Sequence, residues 1–146
     1  MEKVERAVSK FCDGFLCSQA ILSTYGPQYG LDADLALKLA AGLGGGMGRM
    51  AQTCGAVTGS ILVIGLKKGA ISAEDTASKE DTYQAVREFS KHFKATHGSI
   101  ICKELLGCDI SESDGYKKAR QEDLFKKECP KYVGSAVEIL EKLLNE

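Results

Sequence analysis

The sequence lacks a Cys-x-x-Cys motif, although six of its 146 residues are cysteines. This absence argues against a thioredoxin-type dithiol, a ribbon-type zinc site and a c-type haem attachment site, because each of them requires that spacing. The cysteine spacing of bacterial ferredoxins is absent as well. Any pairing of cysteines that are close in the sequence would therefore be unconventional.

The sequence also lacks an excess of basic residues and a long apolar run. It has 19 Lys and Arg against 20 Asp and Glu, which gives a net charge of −1. Since no positive excess is available to neutralise phosphates, nucleic acid is not expected as a partner. The longest apolar stretch, residues 56–66, is interrupted by glycines and too short to span a bilayer. Residues 1–6 are charged and do not resemble a signal peptide. These features predict a cytoplasmic protein without a membrane partner.

Four of the six cysteines occur where the local sequence predicts the start of a helix: Cys17, Cys54, Cys102 and Cys129. In a reducing compartment, cysteines are more often metal ligands or redox-active groups than structural disulfides. A helix start presents unpaired N–H groups and a partial positive charge, which favour the reactive thiolate. The four cysteines are therefore candidate site residues, whereas Cys12 and Cys108 are expected to be small, buried packing residues.

Helical periodicity extends over nearly the whole chain and predicts an all-α, single-domain, multi-helix bundle over residues 1–146. Residues 54–66, capped by Thr53, are predicted to form a central buried helix, because Gly55 and Gly59 permit a neighbouring backbone to approach closely. The glycine-rich segment 42–49 is predicted to connect two helices. It does not match a dinucleotide-binding loop, because a helix rather than a strand precedes it.

Local capping signals predict several other helix ends. Asp32 is a candidate N-cap of the third helix. Ser72 is expected to begin a long polar helix, and Ser99 to cap a short one. Residues 111–115 are predicted to form a polar loop, and His97 is expected to be a surface residue at a helix C-terminus, where a protonated imidazole is favourable.

The surroundings of the four candidate cysteines resemble the C_GCAxxG_C_C family of redox-active proteins. The resemblance rests on CSQA from Cys17, TCGAVTG around Cys54, CKELLG from Cys102 and CP from Cys129, together with GGGMGR at 44–49. It covers nearly the whole chain, from about residue 4 to residue 144. One departure is that residues 54–56 read Cys-Gly-Ala where the family label reads Gly-Cys-Ala. The resemblance implies redox activity at these four cysteines and leaves Cys12 and Cys108 outside the site.

Three functions are compatible with this sequence. In the first, the four cysteines converge and ligate an iron–sulfur cluster or another thiolate-bound metal for electron transfer, with Gly55 and Arg49 beside the cofactor. In the second, a metal-free thiol–disulfide oxidoreductase uses Cys54 as its attacking thiolate, activated by the helix start and by the cation of Arg49. In the third, the cysteines hold a structural zinc in a non-catalytic bundle. The expected partner is a redox protein. The electron donor, the acceptor and the oligomeric state have no signature in the sequence.

Overall fold

The computed structural model describes residues 2–145, which are mostly helical and contain no strand. The α-helices are α1 (Glu2–Cys12), α2 (Cys17–Tyr25), α3 (Ala33–Ala40), α4 (Gly55–Lys68), α5 (Thr76–His97), α6 (Cys102–Leu106), α7 (Ser113–Gln121), α8 (Leu124–Lys127) and α9 (Cys129–Leu144). Short 3₁₀ turns cover Gly26–Tyr29 and Ala41–Leu43. No helix within residues 2–145 is both long and apolar enough to cross a membrane. The predicted all-α class is confirmed.

Two aspartates cap helices in this fold. The Asp32 carboxylate accepts a hydrogen bond from the N–H of Leu35 at 3.2 Å, so this predicted N-cap is confirmed. At α5 the capping carboxylate is that of Asp75, which accepts from the N–H of Ser78 at 3.0 Å. The prediction that Ser72 begins this helix is wrong, because Ser72 lies in the turn before it.

The short helix α6 begins later than predicted. Its first residue is Cys102, and its N-cap is Ile101 rather than Ser99. The Ser99 hydroxyl instead accepts a hydrogen bond from the N–H of Ile101 at 2.9 Å, within the turn that leads into α6. The predicted short helix is therefore present, but it begins after Ile101 rather than after Ser99.

The segment predicted as a polar loop at 111–115 contains the beginning of α7, so that prediction is wrong. Ala119 is the single buried residue of α7, and the helix therefore has no apolar stripe that periodicity could reveal. It is followed directly by α8, against which it packs.

The central element of the bundle is α4, which packs against α2, α5 and α9. Half of its residues are buried: Gly55, Ala56, Val57, Gly59, Ser60, Val63 and Ile64. The predicted central, glycine-containing helix is thus present. The last helix, α9, buries Val133, Val137, Leu140 and Leu144 at helical spacing against this core.

His97 is half-buried rather than a surface residue. Its ring centroid lies 4.7 Å from that of Phe93 and 5.0 Å from that of Tyr132. The buried Nε2 has no hydrogen-bond partner among the described residues. Burial lowers the pKa of His97, so the expected preference for a protonated imidazole at the end of α5 is wrong.

Candidate functional site

Each of the four candidate cysteines lies at a helix start. Cys17, Cys102 and Cys129 are the first residues of α2, α6 and α9, and Cys54 is the N-cap of α4. Thr53 was expected to cap α4, but its backbone instead forms an isolated antiparallel bridge with Ile101. All six cysteines of the protein are free thiols in this structure.

Gly55 and Gly59, which have no side chains, allow Cys17 to lie close to the start of α4. A Cβ atom built on Gly59 would lie 2.9 Å from the Cα of Ser18, which is closer than real Cβ atoms come. A Cβ on Gly55 would lie 3.3 Å from the Cβ of Cys17 and 3.2 Å from the N of Ser18. The close approach of α2 and α4 therefore requires glycine at position 59, whereas a side chain at position 55 would meet a tight contact.

A pair of backbone hydrogen bonds positions Cys54 beside Cys102. The N–H of Cys54 donates to the carbonyl of Ile100 at 2.8 Å, and the N–H of Cys102 donates to the carbonyl of Gln52 at 2.6 Å. These bonds hold the start of α6 against the start of α4, although the two segments are far apart in the sequence.

The four cysteines line a cavity of about 490 Å³. Its wall is otherwise largely apolar and includes Phe11, Leu16, Leu106, Ile110, Tyr116 and Phe125. The glycine-rich connector supplies the remainder, including Gly45, Gly46, Gly48 and Arg49. The structure therefore brings Cys17, Cys54, Cys102 and Cys129 together at one place, and it also puts Gly55 and Arg49 on the same wall.

Two of these thiols are strongly held in the protonated form. Burial raises the pKa of Cys54 to about 12, and the backbone N–H groups of Ala56 and Val57 offset only part of this effect. Burial also raises the pKa of Cys102 to about 12, with a contribution from the neighbouring Cys54. The expectation that a helix start makes these cysteines thiolates is wrong, because desolvation outweighs the helix dipole.

Cys17 and Cys129 lie in the wall of the same cavity, and their pKa values are displaced in opposite directions. Interaction with the Cys129 thiol, assisted by burial, raises the pKa of Cys17 well above its ordinary value. The same interaction lowers the pKa of Cys129. Of the two thiols, Cys129 therefore gives up its proton more readily.

Arg49 does not activate Cys54 as expected. Its guanidinium carbon lies 4.5 Å from the centre of the Tyr116 ring, in a cation–π contact at the cavity. The hydrogen bond from Arg120, together with the charge of Arg49, lowers the pKa of Tyr116. The charge of Arg49 therefore acts on Tyr116, and no effect on the pKa of Cys54 is resolved.

The cysteines as arranged do not fit a metal centre. Within residues 2–145, no group of three or more Cys, His, Asp or Glu side chains is arranged to hold a metal ion. Tetrahedral zinc and iron–sulfur sites require such a group of thiolates around one centre. Ligation of a cluster or a zinc ion by Cys17, Cys54, Cys102 and Cys129 is therefore not supported by this arrangement.

The two remaining cysteines lie outside the wall of the cavity. Cys108 is half-buried and packs against the core. Cys12 is exposed, so the expectation that it is a buried packing residue is wrong. It lies in the last turn of α1, beside an exposed segment at 13–16, and it lines a second cavity of about 420 Å³.

Sequence reasoning missed two aromatic residues of the site. Tyr116 of α7 and Phe125 of α8 line the cavity, and their ring centroids are 6.0 Å apart. The only local signal is that they are aromatic residues in a largely polar segment.

Comparison with known proteins gives one match. A family model described as "Putative redox-active protein (C_GCAxxG_C_C)" matches residues 15–143, a range that contains all four cysteines of the cavity. No curated protein and no solved structure matches the chain.

Proposed function

Because the chain belongs to the C_GCAxxG_C_C family of redox-active proteins, we propose that it is a metal-free thiol–disulfide oxidoreductase. Its reacting pair is Cys17 and Cys129. Cys129 is the attacking thiolate and Cys17 is the thiol that resolves the mixed disulfide. Cys54, the attacking residue expected from the sequence, is instead a neutral thiol in the wall of the cavity.

The observation that carries this proposal is the position of Cys17 and Cys129 in the wall of one cavity, with pKa values displaced in opposite directions. Thiol–disulfide exchange requires a thiolate for the attack and a second thiol that then displaces the remaining half of the substrate. The lowered pKa of Cys129 favours its thiolate, and Cys17 in the same wall supplies the second sulfur. Both sulfurs line the cavity, where an incoming disulfide can reach them.

The reaction transfers two electrons to an external disulfide. The Cys129 thiolate attacks one sulfur of that disulfide, which breaks its S–S bond, forms a mixed disulfide and expels the first product as a thiolate. This product takes the proton of Cys17. The Cys17 thiolate then attacks the Cys129 sulfur, forms the Cys17–Cys129 disulfide and expels the second product as a thiolate. A dithiol of a partner redox protein would reverse these steps and return the two electrons.

Cys54 and Cys102 support this chemistry without reacting. With the pKa of each near 12, both remain protonated at neutral pH. They add no charge to the cavity, and they are poor nucleophiles toward the mixed disulfide. Cys17 differs from them because the largest cause of its raised pKa is its interaction with the Cys129 thiol, which is lost once Cys129 is part of the mixed disulfide.

Thiol counting with disulfide mapping tests the proposal. The protein is purified without oxygen in a Cys12→Ser background, because exposed Cys12 would react independently. Its metal content and visible spectrum are recorded, and one equivalent of bis(hydroxyethyl) disulfide is added. We expect a colourless protein that loses two thiols and yields a peptide linked between Cys17 and Cys129. Cys17→Ser should stop at the mixed disulfide on Cys129, and Cys129→Ser should not react.

Other outcomes would overturn the proposal. Stoichiometric iron with acid-labile sulfide would support the cluster hypothesis for the same four cysteines, and stoichiometric zinc would support the structural metal. A disulfide that maps to Cys54 and Cys102 would show that the wrong pair was assigned.

A further inference from the structure

Arg49 is the one Arg, Lys, Asp or Glu among the described residues that line the cysteine cavity. The rest of the wall consists of thiols, apolar side chains, a tyrosine and glycines. Arg49 is exposed and forms no ion pair with a carboxylate in residues 2–145. A cation that has no counter-ion within the protein, at the edge of an apolar cavity, is available to an anionic ligand.

A second arginine lies near the same tyrosine. The guanidinium of Arg120 is 5.8 Å from the Tyr116 ring centre, and its Nη1 donates to the Tyr116 hydroxyl at 3.4 Å. Arg49 lies 4.5 Å from that ring centre. Tyr116 thus contacts two guanidinium groups, of which that of Arg49 belongs to the wall of the cavity.

The backbone holds Arg49 in an unfavourable conformation. Residues 45–49 all have positive φ, with 61° at Arg49 and 68° at Met47. A left-handed conformation is unfavourable for a residue that carries a side chain, whereas glycine adopts it readily. Unfavourable backbone of this kind often accompanies functional sites. Here the turn directs the glycine backbone and Arg49 toward the cavity.

The rest of the cavity suits the apolar body of a small molecule. Its volume of about 490 Å³ falls within the range of small-molecule sites. Phe11, Leu16 and Phe125 contribute apolar surface to the wall. A substrate of this size could contact both the arginine and the reacting sulfurs.

We propose that the substrate is a small, carboxylate-bearing disulfide whose carboxylate binds Arg49 while its sulfurs meet Cys129. This inference rests on the proposed function, because it names the disulfide that the Cys17–Cys129 pair reduces. Guanidinium groups pair with carboxylates through two parallel hydrogen bonds, which also fix orientation. The carboxylate takes no part in electron transfer. The two thiols lose two electrons, and the small disulfide becomes two thiols.

Three disulfides of different charge test the inference: anionic dithiodipropionate, neutral bis(hydroxyethyl) disulfide and cationic cystamine. The rate constant for oxidation of the Cys12→Ser protein is divided by that of a free small thiol with the same disulfide. This ratio removes the intrinsic reactivity of each probe. We expect the normalised rate to be highest for dithiodipropionate and lowest for cystamine.

Variants of Arg49 identify the source of this preference. Arg49→Gln should lower the ratio of dithiodipropionate to neutral-disulfide rates by about fivefold, and Arg49→Lys should restore much of it. Arg87→Gln makes the same charge change at an exposed residue outside the cavity and should leave the ratio unchanged. Added salt should reduce the preference, because exposed charges are screened.

The carboxylate assignment and the proposed thiol–disulfide function would be overturned by different results. Equal normalised rates for the three disulfides, or an Arg49→Gln loss that is equal for all three, would overturn the carboxylate assignment and leave thiol–disulfide exchange intact. Reaction with a protein disulfide alone would overturn the small-substrate assignment. No reaction of Cys129 with any disulfide would overturn the proposed function itself.

Discussion

Gly59 of α4 faces the backbone of Ser18 in α2, and a Cβ at position 59 would lie 2.9 Å from the Ser18 Cα and 3.0 Å from its carbonyl oxygen. Because Ser18 follows Cys17 directly, this contact also determines how far the Cys17 thiol lies from the start of α4. Close helix packing and the geometry of the cysteine cavity are therefore consequences of the same glycine.

Gly59→Ala should lower the free energy of unfolding by about 1–3 kcal/mol, because the backbone of α2 has to move away. Gly65→Ala is the matched control in the same helix, since no heavy atom lies within 4 Å of a Cβ at that position. It should raise stability by about 0.5–1 kcal/mol through helix propensity. Urea unfolding of both variants measures the difference, and equal effects of the two substitutions would contradict the close contact.

The thiols should differ in their rates of alkylation at neutral pH. Among the cavity cysteines, Cys129 should react first with iodoacetamide, because its lowered pKa leaves more of it as thiolate. Cys54 and Cys102, with pKa values near 12, should react slowly until the protein unfolds. Mass spectrometry of timed samples gives the order, with exposed Cys12 as an internal reference. Faster labelling of Cys54 than of Cys129 would contradict the assignment of the thiolate.

Stability should fall at alkaline pH because of Cys54. The pKa of this thiol is about 12 in the folded protein against about 9 for an ordinary cysteine, so the folded state binds its proton more tightly. The resulting stability is fully present below about pH 9 and is lost between about pH 9 and pH 12, by at most about 1.4 kcal/mol per pH unit. Cys54→Ala should lose stability less steeply in that range. Parallel curves for the two proteins would contradict the raised pKa.

Stability should also fall at acid pH because of His97. Burial lowers the pKa of this residue, so the unfolded chain binds a proton at a pH where the folded protein does not. The contribution is present above about pH 6.5 and is lost as the pH falls toward the folded-state pKa. His97→Phe keeps an aromatic ring against Phe93 and Tyr132 and should remove this dependence. Thermal unfolding of both proteins from neutral to acid pH provides the comparison.

The helix starts near the four cysteines could be predicted to within about one or two residues because their signals are local. Pro130 lies at the second position of α9, and glycines or polar residues adjoin the other three starts. The central position of α4 also followed from its own sequence, since Gly55 and Gly59 indicate a helix that approaches a neighbour closely. In contrast, α7 has no apolar stripe, so hydrophobic periodicity does not indicate it.

The protonation states at the site could not be predicted from the sequence. A helix start favours the thiolate, but burial favours the thiol, and the depth of burial is a tertiary property. Burial dominates at Cys54, whereas at Cys129 the interaction with the Cys17 thiol outweighs burial and lowers the pKa. Cys17 and Cys129 are more than a hundred positions apart in the sequence. The orientation of the Arg49 side chain likewise depends on a tertiary contact, with Tyr116. This residue lies in α7, a helix that the sequence did not predict.

Because Cys17 and Cys129 are far apart in the sequence, oxidation of this pair would change the conformational stability of the fold. A bond between their sulfurs would link the second helix to the last and close a loop of more than a hundred residues. A covalent loop of that length restricts the unfolded chain and stabilises a folded protein by about 4–5 kcal/mol in the chain-entropy description. The oxidised protein would then melt at a higher temperature than the reduced one. Each turnover would form and then break a covalent link between α2 and α9.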